Sequence, residues 1–99
     1  MSVYLLVEVK VEDASAYERY LAQIPEVLRQ HGGRYVFQSA AIVSASGAPP
    51  PDAVNLMQFD SRSQLGAFLQ SPGYAALAEL RASVTTSRSL LVEGTLLPD

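Results

Sequence analysis

Residues 31–35 read His31-Gly32-Gly33-Arg34-Tyr35, and at this point one periodicity gives way to another. Upstream, Tyr17, Tyr20, Leu21, Ile24, Val27, Leu28 and His31 recur at spacings of three and four, which is the apolar stripe of an amphipathic helix. Downstream, from Arg34 to Ser44, the alternation has period two. Tyr35, Phe37, Ser39, Ala41 and Val43 share one face of a strand, and Arg34, Val36, Gln38, Ala40 and Ile42 share the other. Two glycines between a helix and a strand act as a corner, because Gly32 can adopt the left-handed conformation that ends a helix.

Before the corner, Val3, Leu5, Val7, Val9 and Val11 alternate with Tyr4, Leu6, Glu8 and Lys10 as a first strand. Asp13 or Ser15 can cap the helix that follows, and Ser15 with Glu18 has capping-box spacing. Pro25 lies inside the helical stripe, where it lacks a backbone donor and clashes with the preceding turn, so a kink or break is expected there. After the corner, the breaker-rich segment 46–52 is a loop between antiparallel neighbours. A third strand spans Val54 to Phe59. Ser61 with Gln64 opens a short helix reaching Gln70, in which Gly66 suggests a close contact with the sheet. Ser71-Pro72 opens a further helical piece to about Ser83, and Arg88 to Thr95 forms a fourth strand.

The order strand, helix, strand, strand, helix, strand is the split βαβ arrangement: an α+β, ferredoxin-like chain forming one domain over residues 1–99. Right-handed crossovers place the helices on one face of a four-stranded antiparallel sheet. The opposite face still carries Tyr4, Leu6 and one side of the later strands. The chain is 48% hydrophobic and only 17% charged, more apolar than a core of 99 residues needs, so the expected partner is a second copy packed on that face.

Composition excludes several chemistries. A net charge of -3, without a basic run, lacks the footprint of a nucleic-acid binder. The apolar run Val3 to Val7 is far short of the roughly 18 residues that cross a bilayer, so no membrane is expected. Without cysteine, and with a single histidine lacking ligand-spaced partners, no metal site and no cofactor are expected. The N-terminus has no basic n-region or cleavage site, and together with the lack of cysteine this points to the cytoplasm.

With its residues laid out, the chain resembles the DUF1330 family of the dimeric α+β barrel superfamily. The resemblance rests on Asp13 with Tyr17 to Tyr20, the turn Gly32-Gly33-Arg34-Tyr35, Phe59-Asp60-Ser61, Ser71-Pro72-Gly73-Tyr74, Leu80-Arg81 and the ending Arg88 to Gly94. It departs from the family at Gln38-Ser39-Ala40 and at Phe68-Leu69. What the resemblance implies is a ferredoxin-like protomer whose sheets pair, with a cavity between sheet and helices. It implies no particular reaction.

Five residues are candidates for a site. His31 can serve as a catalytic acid or base near neutral pH, or equally as a helix-terminal residue bonded to a last carbonyl. Arg34 can clamp an anion through its planar fork. Tyr17 and Tyr74 can offer polar tips to a ligand, with Arg81 supplying charge. The expected function is homodimeric binding of a small organic acid or aromatic. The alternatives are a cofactor-independent enzyme, acting by proton transfer or monooxygenation on a small aromatic or lactone, and a purely structural dimerisation module.

Overall fold

The computed structural model describes residues 2–98. Seven elements follow one another: β1 (Ser2–Val11), α1 (Ala14–Gln30), β2 (Gly33–Ser39), β3 (Ala53–Phe59), α2 (Arg62–Leu69), α3 (Pro72–Val84) and β4 (Thr85–Gly94). The sheet order is β2-β3-β1-β4, with every pairing antiparallel. This is the ferredoxin-like α+β fold that the alternation of elements leads one to expect.

Period two decides the faces. Val3, Leu5, Val7 and Val9 of β1 point under the helices and are buried, as are Met57 and Phe59 of β3. Tyr20, Ile24 and Leu28 press onto them from α1, with Leu65 and Phe68 from α2 and Leu77 from α3. The helix-facing sides of the two central strands therefore form the floor of the core. Burial of such side chains at roughly 25 cal/mol per Å² is what fixes the strand register.

Local chemistry explains where the helices start. Asp13 caps α1 by accepting from the Ala16 N–H at 3.1 Å, so the expected Ser15–Glu18 box is not the device used. Ser61 accepts from Gln64 N–H at 3.2 Å and Ser71 from Tyr74 N–H at 3.1 Å, and Pro72 occupies the first turn of α3. α1 is not broken at Pro25. The proline lies on the exposed side, between the fully buried Ile24 and Leu28, whose packing holds the helix through it. Gly66 meets nothing with a Cβ added, so the expected close approach to the sheet is absent there.

The corner is tighter than a helix stop requires. Gly32 has φ +73°, a left-handed conformation, and a Cβ on Gly33 would lie 2.4 Å from Phe59 Cε1. Gly33 pairs directly with Phe59 across the β2–β3 ladder, so only a residue without a side chain lets that ring lie over the strand.

β2 departs from the expected strand in two ways. It ends at Ser39 and does not run to Ser44. It also carries a bulge: Tyr35 pairs with Met57, but Phe37, not Val36, pairs with Leu56. The extra residue at Val36 reverses the parity of everything after it. Tyr35 faces the helices, whereas Phe37 shares the open face with Leu56 and is 55% exposed. The sequence reading placed these two on one face. β4 likewise begins earlier than expected, at Thr85, immediately after α3.

The open face of the sheet is apolar at its centre. Tyr4 is already buried there, its hydroxyl 3.3 Å from Gln58 Nε2. Leu6, Leu56, Val92 and Leu96 join Tyr4 around a groove of about 310 Å³. Leu90 and Val92 stay substantially exposed, and Leu96 is 56% exposed.

Candidate functional site

The polar interior lies between the helices and the helix-facing side of the sheet. Tyr17 and Tyr20 project from α1 one turn apart, and their rings stack with centroids 5.9 Å apart and planes 20° apart. Both are buried. On the floor opposite, Asn55 of β3 occupies a core-facing position in a strand otherwise lined there by Ala53, Met57 and Phe59. A buried amide in such a place needs partners. Asn55 Nδ2 donates to Tyr17 Oη at 3.0 Å, and Asn55 Oδ1 accepts from Gln38 Nε2 at 3.3 Å. The bulge makes the second bond possible, because it turns Gln38 towards the helix side and sets it opposite Asn55.

These side chains form the wall of an open chamber of about 250 Å³ between α1 and the β2–β3 end of the sheet. Tyr17, Gln38, Ser39 and Asn55 supply its polar groups; Leu21, Ala40 and Ala53 supply its apolar surface. Apolar walls with a few convergent hydrogen-bonding groups are the usual makeup of a small-molecule site. A second cleft of similar size lies on the other side of the sheet, between Pro49–Pro51 and the Lys10 and Arg88 region. There Lys10 is held by Asp52 and the Pro50 carbonyl, and Arg88 stands across the ladder from Glu8.

Beyond the tyrosine stack stands Arg81 of α3. Its guanidinium carbon is 5.9 Å from the centroids of both the Tyr20 and the Tyr74 rings, and Nη2 donates to Tyr74 Oη at 3.3 Å. Tyr35 reaches the same interior from β2. Its hydroxyl is buried and has no hydrogen-bond partner among the described residues, and the same holds for Arg81 Nε. Burial pushes the Tyr20 hydroxyl up to about 12 despite the opposing pull of the Arg81 charge. Burial raises Tyr35 further still, helped by the neighbouring Tyr20 and Tyr17 and opposed by Arg81. Both phenols are therefore neutral donors at ordinary pH.

Of the five residues singled out from sequence, the structure brings Tyr17, Tyr74 and Arg81 into this interior and leaves His31 and Arg34 out of it. His31 ends α1; its Nδ1 donates to the Val27 carbonyl at 2.9 Å, and its ring stands edge-on to Phe68 at 6.2 Å. Arg34 lies on the open face, where Nη2 donates to Gln58 Oε1 at 2.7 Å. The two side chains leave the corner towards opposite sides of the sheet. Asn55 and Gln38 were not singled out. The available signal for Asn55 was an amide at a core parity of an apolar strand. Gln38 carried none, because the bulge reverses its face.

Among the described residues no cluster of histidine, aspartate and glutamate is arranged to hold a metal ion, and no helix is long and apolar enough to cross a membrane.

Solved structures share the fold closely. A protein of unknown function from Rhodopseudomonas palustris, RPA0582, superposes with a TM-score of 0.84 at 20% identity, covering 98% of this chain and 84% of its own. SnoaB, a cofactor-independent oxygenase from Streptomyces nogalater, superposes with a TM-score of 0.75 at 18% identity, covering 99% of this chain and 98% of its own. A dimeric ferredoxin-like protein of unknown function from Jannaschia sp. CCS1 gives a TM-score of 0.70 at 13% identity, with 95% and 100% covered. At these identities the likeness concerns the fold alone. No curated protein matches the sequence significantly. The model of the domain of unknown function DUF1330 matches residues 2–95, the whole ladder from β1 to the end of β4 together with all three helices, and the chain belongs to that family.

Proposed function

We propose that this protein binds a small organic molecule in the chamber beneath α1 and works as a homodimer joined through the open sheet face. The observation that carries the binding reading is the chain of hydrogen bonds from Gln38 through Asn55 to Tyr17, which holds three polar side chains at the wall of an open chamber of about 250 Å³, beside the apolar Leu21, Ala40 and Ala53. A packing core gains little from such a device, since buried polar groups contribute stability only when fully satisfied. The dimer reading is supported by the apolar centre of the open face and by relatives of the same fold that are described as dimeric.

The enzymatic alternative has less to stand on. His31 spends Nδ1 on a helix carbonyl, and Tyr20 and Tyr35 hold their protons too firmly to act as bases near neutral pH.

Amide and side-chain NMR of the labelled protein, titrated with small aromatics, lactones and carboxylic acids, tests the binding reading. Shifts centred on Tyr17, Gln38 and Asn55, abolished by filling the chamber with Ala40→Trp, are the expected result. A screen in which no compound perturbs those residues overturns it. Sedimentation at micromolar concentration tests the dimer, and a monomer mass at every concentration refutes it.

A further inference from the structure

The hydrogen bonds at the wall of the chamber run in one direction. Gln38 Nε2 donates to Asn55 Oδ1, and Asn55 Nδ2 donates in turn to Tyr17 Oη. The chain therefore ends on a phenol that has accepted one bond and still holds its own proton, for which there is no acceptor among the described residues. Ser39 is left in the same condition: its Oγ accepts from the Ala41 N–H at 3.2 Å, and its hydroxyl proton is unspent. Both residues line the chamber. A hydroxyl that already accepts a bond is polarised by it and donates the more strongly, so the chamber presents donors and asks for an acceptor.

The lining also decides the charge of that acceptor. No charged side chain belongs to it. A carboxylate entering the chamber would give up water and meet no counter-charge, whereas a neutral carbonyl oxygen gives up much less and finds a donor waiting.

We propose that the chamber takes a small neutral carbonyl compound, a ketone, lactone or uncharged amide, whose carbonyl oxygen accepts from the Tyr17 hydroxyl. The inference rests on the reading of the chamber as a ligand site and adds the functional group and charge of what enters it. Tyr17 is then the residue that selects the ligand, and Asn55 and Gln38 act through it, holding its oxygen as an acceptor so that its proton points to the ligand.

Three ligands of closely similar shape separate the possibilities: acetophenone; α-methylstyrene, in which a methylene group replaces the carbonyl oxygen; and benzoate, in which a carboxylate replaces the acetyl group. Affinities are read from amide NMR titrations, and circular dichroism confirms that each protein is folded. Acetophenone should bind the wild-type protein at least about tenfold tighter than benzoate. In Tyr17→Phe its affinity should fall about five- to tenfold, the increment of one hydrogen bond, while that of α-methylstyrene stays as it was. Acetophenone isotope-labelled at the carbonyl carbon reads the bond in the wild type without any variant: the carbonyl resonance of the bound ligand should lie downfield of its position in an apolar solvent. Benzoate binding as tightly as acetophenone overturns the inference of a neutral ligand. An equal loss of both neutral compounds in Tyr17→Phe, or a bound carbonyl resonance at its apolar-solvent position, overturns the bond to Tyr17. Each of these results leaves the chamber reading standing. If none of the three compounds shifts Tyr17, Gln38 and Asn55, the inference and the chamber reading fall together.

Discussion

Asn55 Nδ2 donates a hydrogen bond to Tyr17 Oη at 3.0 Å, joining the middle of the sheet to the first turns of α1 across 38 positions of sequence. The bond is buried and its donor has no other partner among the described residues, so Tyr17→Phe strands an amide N–H in the interior. The expected cost is about 1 to 3 kcal/mol, measured by urea denaturation. Tyr17→Phe combined with Asn55→Leu should cost clearly less than the two single changes added together, because the pair shares one interaction. Strict additivity would show that the bond contributes nothing.

Gly33→Ala places a methyl group inside the Phe59 ring, and a loss of about 1 to 3 kcal/mol is expected from the overpacking. Phe59→Leu in the same protein should recover part of that loss, since a smaller side chain vacates the space. The midpoint of thermal unfolding reads both. A Gly33→Ala protein as stable as wild type would mean that the ring moves aside freely.

Phe37 stands on the open face and touches neither the chamber nor the core. Phe37→Glu should leave the secondary structure unchanged and shift sedimentation from dimer to monomer, because a carboxylate buried against a second apolar sheet has no partner. Its melting temperature should also lose any dependence on protein concentration. A dimer of unaltered affinity would place the contact elsewhere on the molecule.

The tyrosines make stability fall at alkaline pH. Tyr20 has a folded-state value of about 12 against an unfolded value of 10.0, and Tyr35 is raised in the same direction. The unfolded chain therefore loses these protons first, so their contribution is fully present below pH 10 and is lost as pH rises from there towards 12. Absorbance at 295 nm should show tyrosines that ionise only together with the loss of circular dichroism. Tyr20→Phe should make the decline shallower. A complete and reversible titration of every tyrosine near pH 10 in the folded protein would contradict the burial of both hydroxyls.

Periodicity carried most of the fold. The stripe from Tyr17 to Leu28 and the alternation in β1 and β3 each bury one face under the helices, and the aliphatic residues of that face agree on it, so the sequence is enough to read them. The end of β2 was not readable in that way. A bulge is a statement about pairing partners, and nothing in Arg34 to Ser44 marks Val36 as the residue without one. The same event hid Gln38, whose polar end faces the chamber only because the parity has changed. His31 and Arg34 looked like neighbours because they are close in sequence, but a helix end and a strand start diverge at once. Arg81 and Tyr74 were legible as chemistry and unremarkable as sequence; only the packing of α3 on α1 makes them one cluster with Tyr17.

The interruption at Val36 also bears on how many copies can join. β2 and β4 are the two outer strands, each with a row of backbone groups that another chain can pair with. On β2 that row is short and broken by the bulge, whereas β4 presents ten residues in unbroken register with β1. A sheet receptive along two borders can be extended without limit, each copy adding a place for the next. One interrupted along a single border cannot be extended without limit in that way, so the face-to-face pairing proposed above does not compete with an open-ended sheet.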